Sequence, residues 1–296
     1  MANHTEFKAG FITIMGKPNV GKSTLMNALI GESLSITSPK AQTTRHRIFG
    51  IETTEQYQMV FSDTPGTIDP KYRLQSQMMK FVYSSLEDAD IILYVVELGD
   101  KNDQLDWIKL AQKAQVPTFF LLNKIDTAKG SQVIDKIHYW KEQIPDIDFL
   151  PVSATTLENL PALKEKLIEL LPTHPAYFPE GEMSDKSERF FAAEIIREKI
   201  FFQYKQEVPY STEVVVTEFK EDEDIIRIRA EIYVERESQK GIIIGKKGEA
   251  IKNMGIASRK GIEAFFAKKV HLETFVKVEK DWRSKDAKLK RFGYIN

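Results

Sequence analysis

One stretch near the start of the chain constrains the fold more than any other. It reads Gly-Lys-Pro-Asn-Val-Gly-Lys-Ser over residues 16–23 and fits the pattern G-x-x-x-x-G-K-[ST]. The apolar run Phe11–Met15 precedes it, and the helix-like run Thr24–Ile30 follows it. A strand, a glycine-rich turn and a helix in this order point backbone N–H groups and a helix N-terminus at an anionic phosphate. The sequence therefore predicts a nucleoside triphosphate site in an α/β domain.

Individual positions of this phosphate loop have expected tasks. Lys22 is expected to reach the β- and γ-phosphates, and Ser23 is expected to ligate Mg²⁺. Glycines allow the backbone to curl around the phosphates. The other residues expected to bind the nucleotide in this stretch are Gly16, Asn19, Val20, Gly21 and Thr24.

Length and composition limit the classes of protein that remain. A chain of 296 residues predicts about two domains. The absence of cysteine excludes disulfides and thiolate metal sites, and it fits a reducing cytoplasm. No run approaches the roughly 18 apolar residues that a membrane span needs.

The small net charge of −1 hides a strong asymmetry along the chain. Residues 240–296 carry 15 basic and 6 acidic side chains, whereas residues 176–239 carry 9 basic and 16 acidic ones. A basic C-terminal fifth favours a polyanionic partner. An ordinary solvated helix surface would show the same excess.

Strand-like and helix-like segments alternate over residues 9–171. One helical pattern covers Asp103–Gln115. This alternation predicts a mostly parallel sheet with helices on both faces. Residues 46–62 hold two strand-like runs with little room for a helix between them, so we expect one antiparallel hairpin in the sheet.

Two loops that follow predicted strands carry further nucleotide chemistry. In Asp63-Thr64-Pro65-Gly66, the Asp63 carboxylate is expected to hold Mg²⁺ through water and the Gly66 N–H to bond a γ-phosphate. In Asn123-Lys124-Ile125-Asp126, the Asp126 carboxylate is suited to accept two hydrogen bonds from guanine. Adenine would leave that carboxylate unpaired at a cost of about 1–3 kcal/mol or more, which favours GTP and GDP over ATP.

The remaining nucleotide contacts are less specific in sequence. Asn123 is expected to join its loop to the phosphate loop, and the Lys124 stem to cover the base. In Ser153-Ala154-Thr155, Ser153 and Ala154 are expected near the base, with the Ala154 N–H at guanine O6. The polar stretch Ser33–Arg47 is predicted to be a first switch, in which Thr44 rather than Thr43 ligates Mg²⁺. Residues 66–80 are predicted to be a second switch.

A proline-rich stretch ends the first domain. Residues 172–181 contain three prolines and a glycine, which is typical of a linker. We therefore expect a GTPase domain over residues 1–172, a linker over 173–186 and a second domain over 187–296.

The second domain contains the tetrapeptide Gly245-Lys246-Lys247-Gly248 after three isoleucines. A G-x-x-G loop between two helices is typical of a KH domain, in which small residues let a nucleic-acid backbone approach. Lys246 and Lys247 would face phosphates. The order helix, strand, strand, helix, helix, strand is similar to the type II KH arrangement. At the basic C-terminal end, Trp282 and Phe292 are candidates either for base stacking or for docking a helix onto the domain.

The ordered set GKPNVGKS, QTTRH, DTPG, NKID and SAT is similar to translation-factor-class GTPases, and with the KH-like half it resembles the Era family of bacterial GTPases. The resemblance implies an α/β P-loop GTPase domain, with a mixed, mostly parallel sheet and helices on both faces, followed by an α+β type II KH domain. It also implies GTP hydrolysis with Mg²⁺, a role in 30S ribosomal subunit assembly and binding to 16S rRNA near its 3′ end. We expect a cytoplasmic monomer with no DNA partner, and the family also implies peripheral contact with the inner membrane.

One position departs from Ras-type chemistry. Thr67 follows Gly66 where Ras-type GTPases have a glutamine that orients water. Related GTPases hold K⁺ through an asparagine of the phosphate loop, and Asn19 matches that position, so K⁺ is a further candidate cofactor. Lys22, Thr44 and Asn19 are the expected catalytic residues.

Two other functions remain open at this point. One is a GTP-dependent RNA-modification enzyme, for which residues 176–296 offer no cysteine and only His271. The other is a GTPase switch that acts at a membrane or on protein partners, with the basic tail on lipid headgroups.

Overall fold

The computed structural model describes residues 6–38, 40–100 and 105–295. The chain divides into two compact units. The first comprises Met1–Ser35, Thr44–Asp69 and Met78–Asp185, and the second comprises Ile36–Thr43, Pro70–Gln77 and Lys186–Asn296. Two short segments from the first half of the chain therefore belong to the second unit.

A six-stranded sheet forms the centre of the first unit. Its strands are β1 (Lys8–Gly16), β2 (Ile48–Thr53), β3 (Tyr57–Asp63), β4 (Ile91–Glu97), β5 (Thr118–Asn123) and β6 (Phe149–Pro151). Their spatial order is β2-β3-β1-β4-β5-β6. Every neighbouring pair is parallel except β2 with β3, so the predicted antiparallel hairpin is confirmed.

Helices cover this sheet. They are α1 (Lys22–Ile30), α2 (Arg73–Glu87), α3 (Leu105–Lys113), α4 (Gln132–Gln143) and α5 (Leu160–Leu170). The first two residues of the helix predicted over Asp103–Gln115 lie outside the described residues. Successive strand residues point to opposite faces, and the first six residues of β4 are all buried, so both faces of the sheet are covered. The carboxyl ends of the parallel strands thus bring the phosphate loop and the later nucleotide loops to one edge.

The proline-rich segment lies along the open edge of this sheet. The Ile51 N–H donates to the Met183 carbonyl at 2.9 Å, and the Phe49 N–H donates to the Asp185 carboxylate at 3.0 Å. Exposed strand edges pair readily with other chains. The segment predicted as a linker therefore also satisfies the backbone of β2.

One buried side chain fixes that segment. Gln58 of β3 is fully buried, and its amide oxygen accepts hydrogen bonds from the N–H groups of Tyr177 and Phe178 at 2.7 and 3.0 Å. Its amide nitrogen donates to the Phe178 carbonyl and to the Thr53 hydroxyl, both at 2.9 Å. All the polar groups of this side chain are thus satisfied without water.

The second unit contains a three-stranded sheet and four helices in the described residues. The elements are α6 (Glu188–Gln203), β7 (Glu213–Glu221), β8 (Ile225–Val234), α7 (Glu237–Ile244), α8 (Glu249–Phe266), β9 (Lys269–Val278) and α9 (Asp286–Arg291). β8 pairs with β7 in the antiparallel sense and with β9 in the parallel sense. This order of elements agrees with the predicted type II KH arrangement.

The core of the second unit lies between the sheet and helices α6, α7 and α8. The Ser187 hydroxyl accepts a hydrogen bond from the Phe190 N–H and caps α6, and the apolar positions Ile196 and Ile200 are fully buried. Alternate residues of β8, such as Ile226 and Ile228, complete this core. No helix in the described part of the chain is long and apolar enough to cross a bilayer.

The aromatic residues near the C-terminus belong to this domain's interior. Trp282 is fully buried, and its indole N–H donates to the Ser211 carbonyl at 2.9 Å. Phe292 is buried with its ring centroid 5.3 Å from that of Trp282. Of the two roles considered for these residues, docking of the C-terminal helix is correct and base stacking is wrong, because a buried ring has no face open to a base.

Replacing Gln58 by leucine should release the segment over residues 173–185. Gln58→Leu leaves the N–H groups of Tyr177 and Phe178 without their acceptor, which we expect to cost about 1–3 kcal/mol. Limited chymotrypsin digestion followed by mass spectrometry should show faster cleavage after Tyr177, since Pro179 blocks cleavage after Phe178. Gln56→Leu, a change at an exposed glutamine nearby, should leave the cleavage pattern as in the original protein. Equal protection in both variants would contradict the role of Gln58.

Candidate functional site: a nucleotide site and a nucleic-acid cleft

Three loops of the first unit meet at Asn123, which is 1% exposed. Its amide nitrogen donates to the Val20 carbonyl at 2.8 Å, and its amide oxygen accepts from the Ala154 N–H at 3.1 Å. Gly21 has a φ of 96°, and a Cβ atom there would lie 2.4 Å from the Asn123 amide nitrogen. The glycine thus provides both the left-handed backbone and the space that this junction requires.

The side of the site expected to bind the base is built from the same loops. Asp126 is exposed, and one of its carboxylate oxygens accepts a hydrogen bond from the Ser153 hydroxyl at 2.7 Å. Lys124 has a φ of 65°, and its ammonium group donates to the Asn19 carbonyl at 2.5 Å and pairs with Glu97. The carboxylate is therefore oriented but open, and the lysine stem spans from the base loop to the phosphate loop.

Lys22 occupies the phosphate side. It is 6% exposed, and its ammonium group donates to the carbonyls of Gly16 and Lys17 at 3.1 and 2.7 Å. Burial lowers the pKa of Lys22 to about 8, although the carboxylates of Asp63 and Asp100 act in the opposite direction. Phosphate oxygens at the loop would favour the charged ammonium.

Three oxygen-bearing side chains converge beside Lys22. The Ser23 hydroxyl donates to the Asp63 carboxylate at 2.6 Å and lies 2.9 Å from the Thr44 hydroxyl, which is itself 3.2 Å from the same carboxylate oxygen. The other carboxylate oxygen of Asp63 is buried and has no hydrogen-bond partner among the described residues. Burial raises the pKa of Asp63, and the Ser23 hydrogen bond and the Lys22 charge oppose that shift. This oxygen set, with one unpaired buried carboxylate oxygen, suits the hard cation Mg²⁺.

The structure separates the two threonines of the first predicted switch. Thr44 lies in the cluster with Ser23 and Asp63, whereas the Thr43 hydroxyl donates to the Lys40 carbonyl at 2.8 Å. Thr24 lies half-buried in the first turn of α1. In the described residues, no group of three or more histidine or acidic side chains is placed to hold a metal ion.

The loop after β3 packs directly on the phosphate loop. A Cβ atom at Gly66 would lie 2.5 Å from the Pro18 nitrogen, so only glycine allows this approach. The next residue, Thr67, is fully buried, and its N–H donates to the Gly16 carbonyl at 3.0 Å. A buried threonine is poorly placed to orient an attacking water, which agrees with the absence of a Ras-type glutamine.

The G-x-x-G loop of the second unit joins α7 to α8. Gly245 and Gly248 have φ values of 72° and 78°, and a Cβ atom at Gly245 would lie 2.5 Å from that of Ala250. Lys246 and Lys247 form a short turn between them. In the part of the chain that the structure describes, neither lysine has an acidic partner at ion-pair distance, so both charges are available to a polyanion.

A cleft of about 500 Å³ in the same unit was not predicted from the sequence. Helix α8 and strand β9 line it with apolar, basic and hydroxyl side chains, namely Ile251, Lys252, Gly255, Ile256, Arg259, Leu272 and Thr274. Ile256 remains 40% exposed although it is apolar. An apolar floor with basic neighbours suits a splayed nucleotide base and its phosphate. The sequence gives no signal for this cleft, because the exposure of Ile256 depends on how α8 packs against β9.

Comparison with known proteins agrees with both halves of the chain. The family model described as 50S ribosome-binding GTPase matches residues 11–124, and the KH domain model matches residues 207–283. GTPase Era of Syntrophus aciditrophicus is 46% identical over 292 residues, which cover 97% of this chain and 95% of that protein. GTPase Era of Geobacter metallireducens is 44% identical over 97% of this chain and 98% of its own length.

The chain belongs to the Era family of GTPases. The predicted family, and with it the predicted GTPase activity, is thereby confirmed. A crystal structure of Era in complex with MgGDPNP and nucleotides 1506-1542 of 16S ribosomal RNA is similar to this Era-family structure, with a TM-score of 0.92. The two sequences are 36% identical, and the match covers 98% of this chain and 100% of the other. The predicted fold class, a P-loop GTPase domain followed by a KH domain, is confirmed as well.

Asp126→Asn should change the base preference of the site. The amide offers only one acceptor where guanine presents two donors, whereas its N–H₂ group suits the additional carbonyl of xanthine. We expect the affinity for GTP to fall about 100-fold or more and the affinity for xanthosine triphosphate to rise. Competition against a fluorescent guanine nucleotide measures both.

Asp135→Asn is a matched control for this substitution. Asp135 is an exposed carboxylate that accepts a hydrogen bond from the Ser131 hydroxyl at 2.7 Å, the same distance as between Asp126 and Ser153. This variant should bind GTP as the original protein does. An Asp126→Asn protein that keeps its preference for GTP would contradict the assignment.

Proposed function

We propose that this chain couples GTP binding and hydrolysis to binding of 16S rRNA near its 3′ end during 30S subunit assembly. The proposal rests on one observation. The same chain contains the guanine-nucleotide loops and a G-x-x-G loop whose two lysines have no acidic partner at ion-pair distance among the described residues. The similarity over its whole length to an Era structure in complex with 16S ribosomal RNA supports the choice of RNA. The matching GTPase family model refers to the 50S ribosome, but it covers only residues 11–124 and not the KH half.

At the nucleotide site, the assigned residues divide the work. Lys22 neutralises the β- and γ-phosphates, and the amides of the loop over residues 16–24 hold phosphate oxygens. Asp126 selects guanine, with Lys124 over the base and the Ala154 N–H near O6. Ser23, Thr44 and Asp63 are the residues that would hold Mg²⁺, which in GTPases neutralises charge on the β- and γ-phosphates.

The two switch segments would differ in conformation between the GTP-bound and GDP-bound protein. GTP carries the γ-phosphate that the Thr44 and Gly66 amides would bond, and GDP lacks it. We expect residues 33–47 and 66–80 to be ordered by GTP and to relax after hydrolysis. The ordering of these two segments in the GTP-bound state is the change to which the KH domain would respond.

RNA binding is assigned to the G-x-x-G loop and the adjacent cleft. Gly245 and Gly248 let the RNA backbone approach, and Lys246 and Lys247 contact its phosphates. The cleft residues between α8 and β9 would hold unpaired bases.

We further propose domain limits of 1–172 and 187–296 with a linker over 173–186, a cytoplasmic monomer without a DNA partner, and peripheral contact with the inner membrane.

Potassium should accelerate hydrolysis if Asn19 holds the cation that replaces an arginine finger. We expect faster single-turnover GTP hydrolysis in K⁺ than in Na⁺ at equal ionic strength, and loss of that difference in Asn19→Ala. Asn19 is exposed on the phosphate loop, so the substitution should not disturb the core. Equal rates in both salts, together with an unchanged Asn19→Ala protein, would reject a role for K⁺.

The double change Lys246→Glu/Lys247→Glu should abolish RNA binding. Each lost phosphate contact removes about one unit from the slope of log affinity against log salt, and the new carboxylates repel phosphate. Filter binding to a 16S rRNA 3′-end fragment, and crosslinking to total RNA with sequencing, measure the loss.

Lys220→Glu/Lys268→Glu reverses the same number of charges at lysines paired with Glu218 and Glu221. That control should keep most of its RNA affinity. Persistent crosslinking of the G-x-x-G variant would contradict the role of this loop in RNA binding. Absence of RNA crosslinking by the original protein would favour a lipid or protein partner for the basic region. GTP-dependent alteration of RNA bases by the purified protein would favour the RNA-modification alternative.

A further inference from the structure

Helix α6 of the second unit contains a buried ion pair that the proposed function leaves unused. The Arg197 side chain is 1% exposed, its Nε donates to Glu194 at 2.7 Å, and its Nη2 also pairs with Glu194. Burial alone would lower the pKa of Arg197, but the Glu194 carboxylate raises it, so the guanidinium stays charged. Buried ion pairs contribute little net stability compared with apolar residues of the same size. A task beyond stability is therefore the better account of this pair.

The same guanidinium reaches a residue far away in the sequence. Arg197 Nη2 donates to the Thr43 carbonyl at 2.6 Å, across 154 positions of the chain. Residues Ile36–Thr43 belong to the same unit as α6, and Thr43 itself is buried. A charge-assisted hydrogen bond to a buried carbonyl is among the stronger polar contacts of a protein.

The peptide bond after Thr43 explains what this contact controls. The carbonyl of Thr43, the N–H of Thr44 and the Thr44 Cα share one rigid plane. In a trans peptide the N–H points opposite to the C=O. A donor fixed on the Thr43 carbonyl therefore sets the direction of the Thr44 amide and the position of the Thr44 Cα. The side chain extends from that Cα and places its hydroxyl 2.9 Å from that of Ser23.

A second contact fastens the same segment to α6. The Lys40 ammonium group donates to the carbonyls of Phe201 and Tyr204 at the C-terminal end of the helix. Those carbonyls lack partners within the helix, and a cation there also complements the helix dipole. The Thr43 hydroxyl donates to the Lys40 carbonyl, so residues 40–43 form one fastened turn.

We propose that Arg197, together with Lys40, positions the Thr44 amide and hydroxyl for GTP hydrolysis. Arg197 is a positioning residue, because it would act through Thr44 and would not itself contact the nucleotide or a metal ion. The inference rests on the proposed GTPase mechanism and adds to it a named input from the KH domain. Because only GTP has a γ-phosphate for Thr44 to contact, loss of Arg197 should impair hydrolysis and spare the binding of GDP.

The test compares variants of the full chain in single-turnover hydrolysis at saturating GTP and in GDP binding. Arg197→Met/Glu194→Gln removes the contact and neutralises both members of the ion pair. We expect its rate constant for GTP hydrolysis to fall about tenfold or more, because a misplaced catalytic group slows the reaction. Its affinity for GDP should stay within about twofold of that of the original protein. Arg197→Lys, which keeps the charge, should recover part of the rate.

Ile196→Val is the control for loosening of the helix, because Ile196 is a fully buried residue of α6 in the core of the second unit. Its hydrolysis rate should match that of the original protein. A folded double variant with an unchanged rate, or one whose GDP affinity falls as far as its rate, would overturn the proposal. If the double variant does not fold, Lys40→Met provides the same test at the second contact, and an unchanged rate there overturns it. Failure of the original protein to hydrolyse GTP would reject the proposed function instead.

Discussion

The nucleotide site depends on one buried amide. Asn123 ends β5, and its side chain bonds backbone groups of the loops that follow β1 and β6. Three segments that are distant in the chain are thereby held at fixed spacing without water. Burial of this amide without its hydrogen-bond partners would cost about 1–3 kcal/mol of folding free energy. A partly formed junction is therefore disfavoured. Gly21 is the complementary requirement, because a side chain there would collide with that amide.

The sheet determines where this junction can form. β1 lies between β3 and β4, so the phosphate loop emerges beside the Asp63 loop on one side and the β4 end on the other. The order of strands places Ser23, Thr44 and Asp63 together although they are 19 to 40 positions apart in pairs. Their hydroxyl and carboxylate oxygens form a compact oxygen site with one unpaired buried oxygen. The chemistry at this edge therefore follows from strand order as much as from residue type.

Charge in the second unit is distributed differently from what composition suggests. Part of the basic charge over residues 240–296 is paired with acidic residues of the same domain, as in Arg283 with Glu235 and Lys277 with Glu231. Within the described ranges, Lys246 and Lys247 of the G-x-x-G loop have no acidic partner at ion-pair distance. That loop is also linked to α6, because the Gln203 amide donates to the Ala250 carbonyl at 2.8 Å, two residues after Gly248. The helix that contacts residues 40–43 is thus bonded to the helix that begins at the G-x-x-G loop.

The sequence by itself determined the fold class, the nucleotide loops, the guanine preference and the KH order of elements. These follow from local patterns, since G-x-x-x-x-G-K-[ST], N-K-x-D and G-x-x-G each specify a turn and its ligand within a few residues. Only the tertiary structure decided whether Trp282 is buried and where the cleft between α8 and β9 lies, and it places Thr44, the threonine favoured from the sequence, next to Ser23. It alone brought Arg197 to the Thr43 carbonyl. These features depend on packing between segments many positions apart, and periodicity and motif spacing carry no information about such contacts.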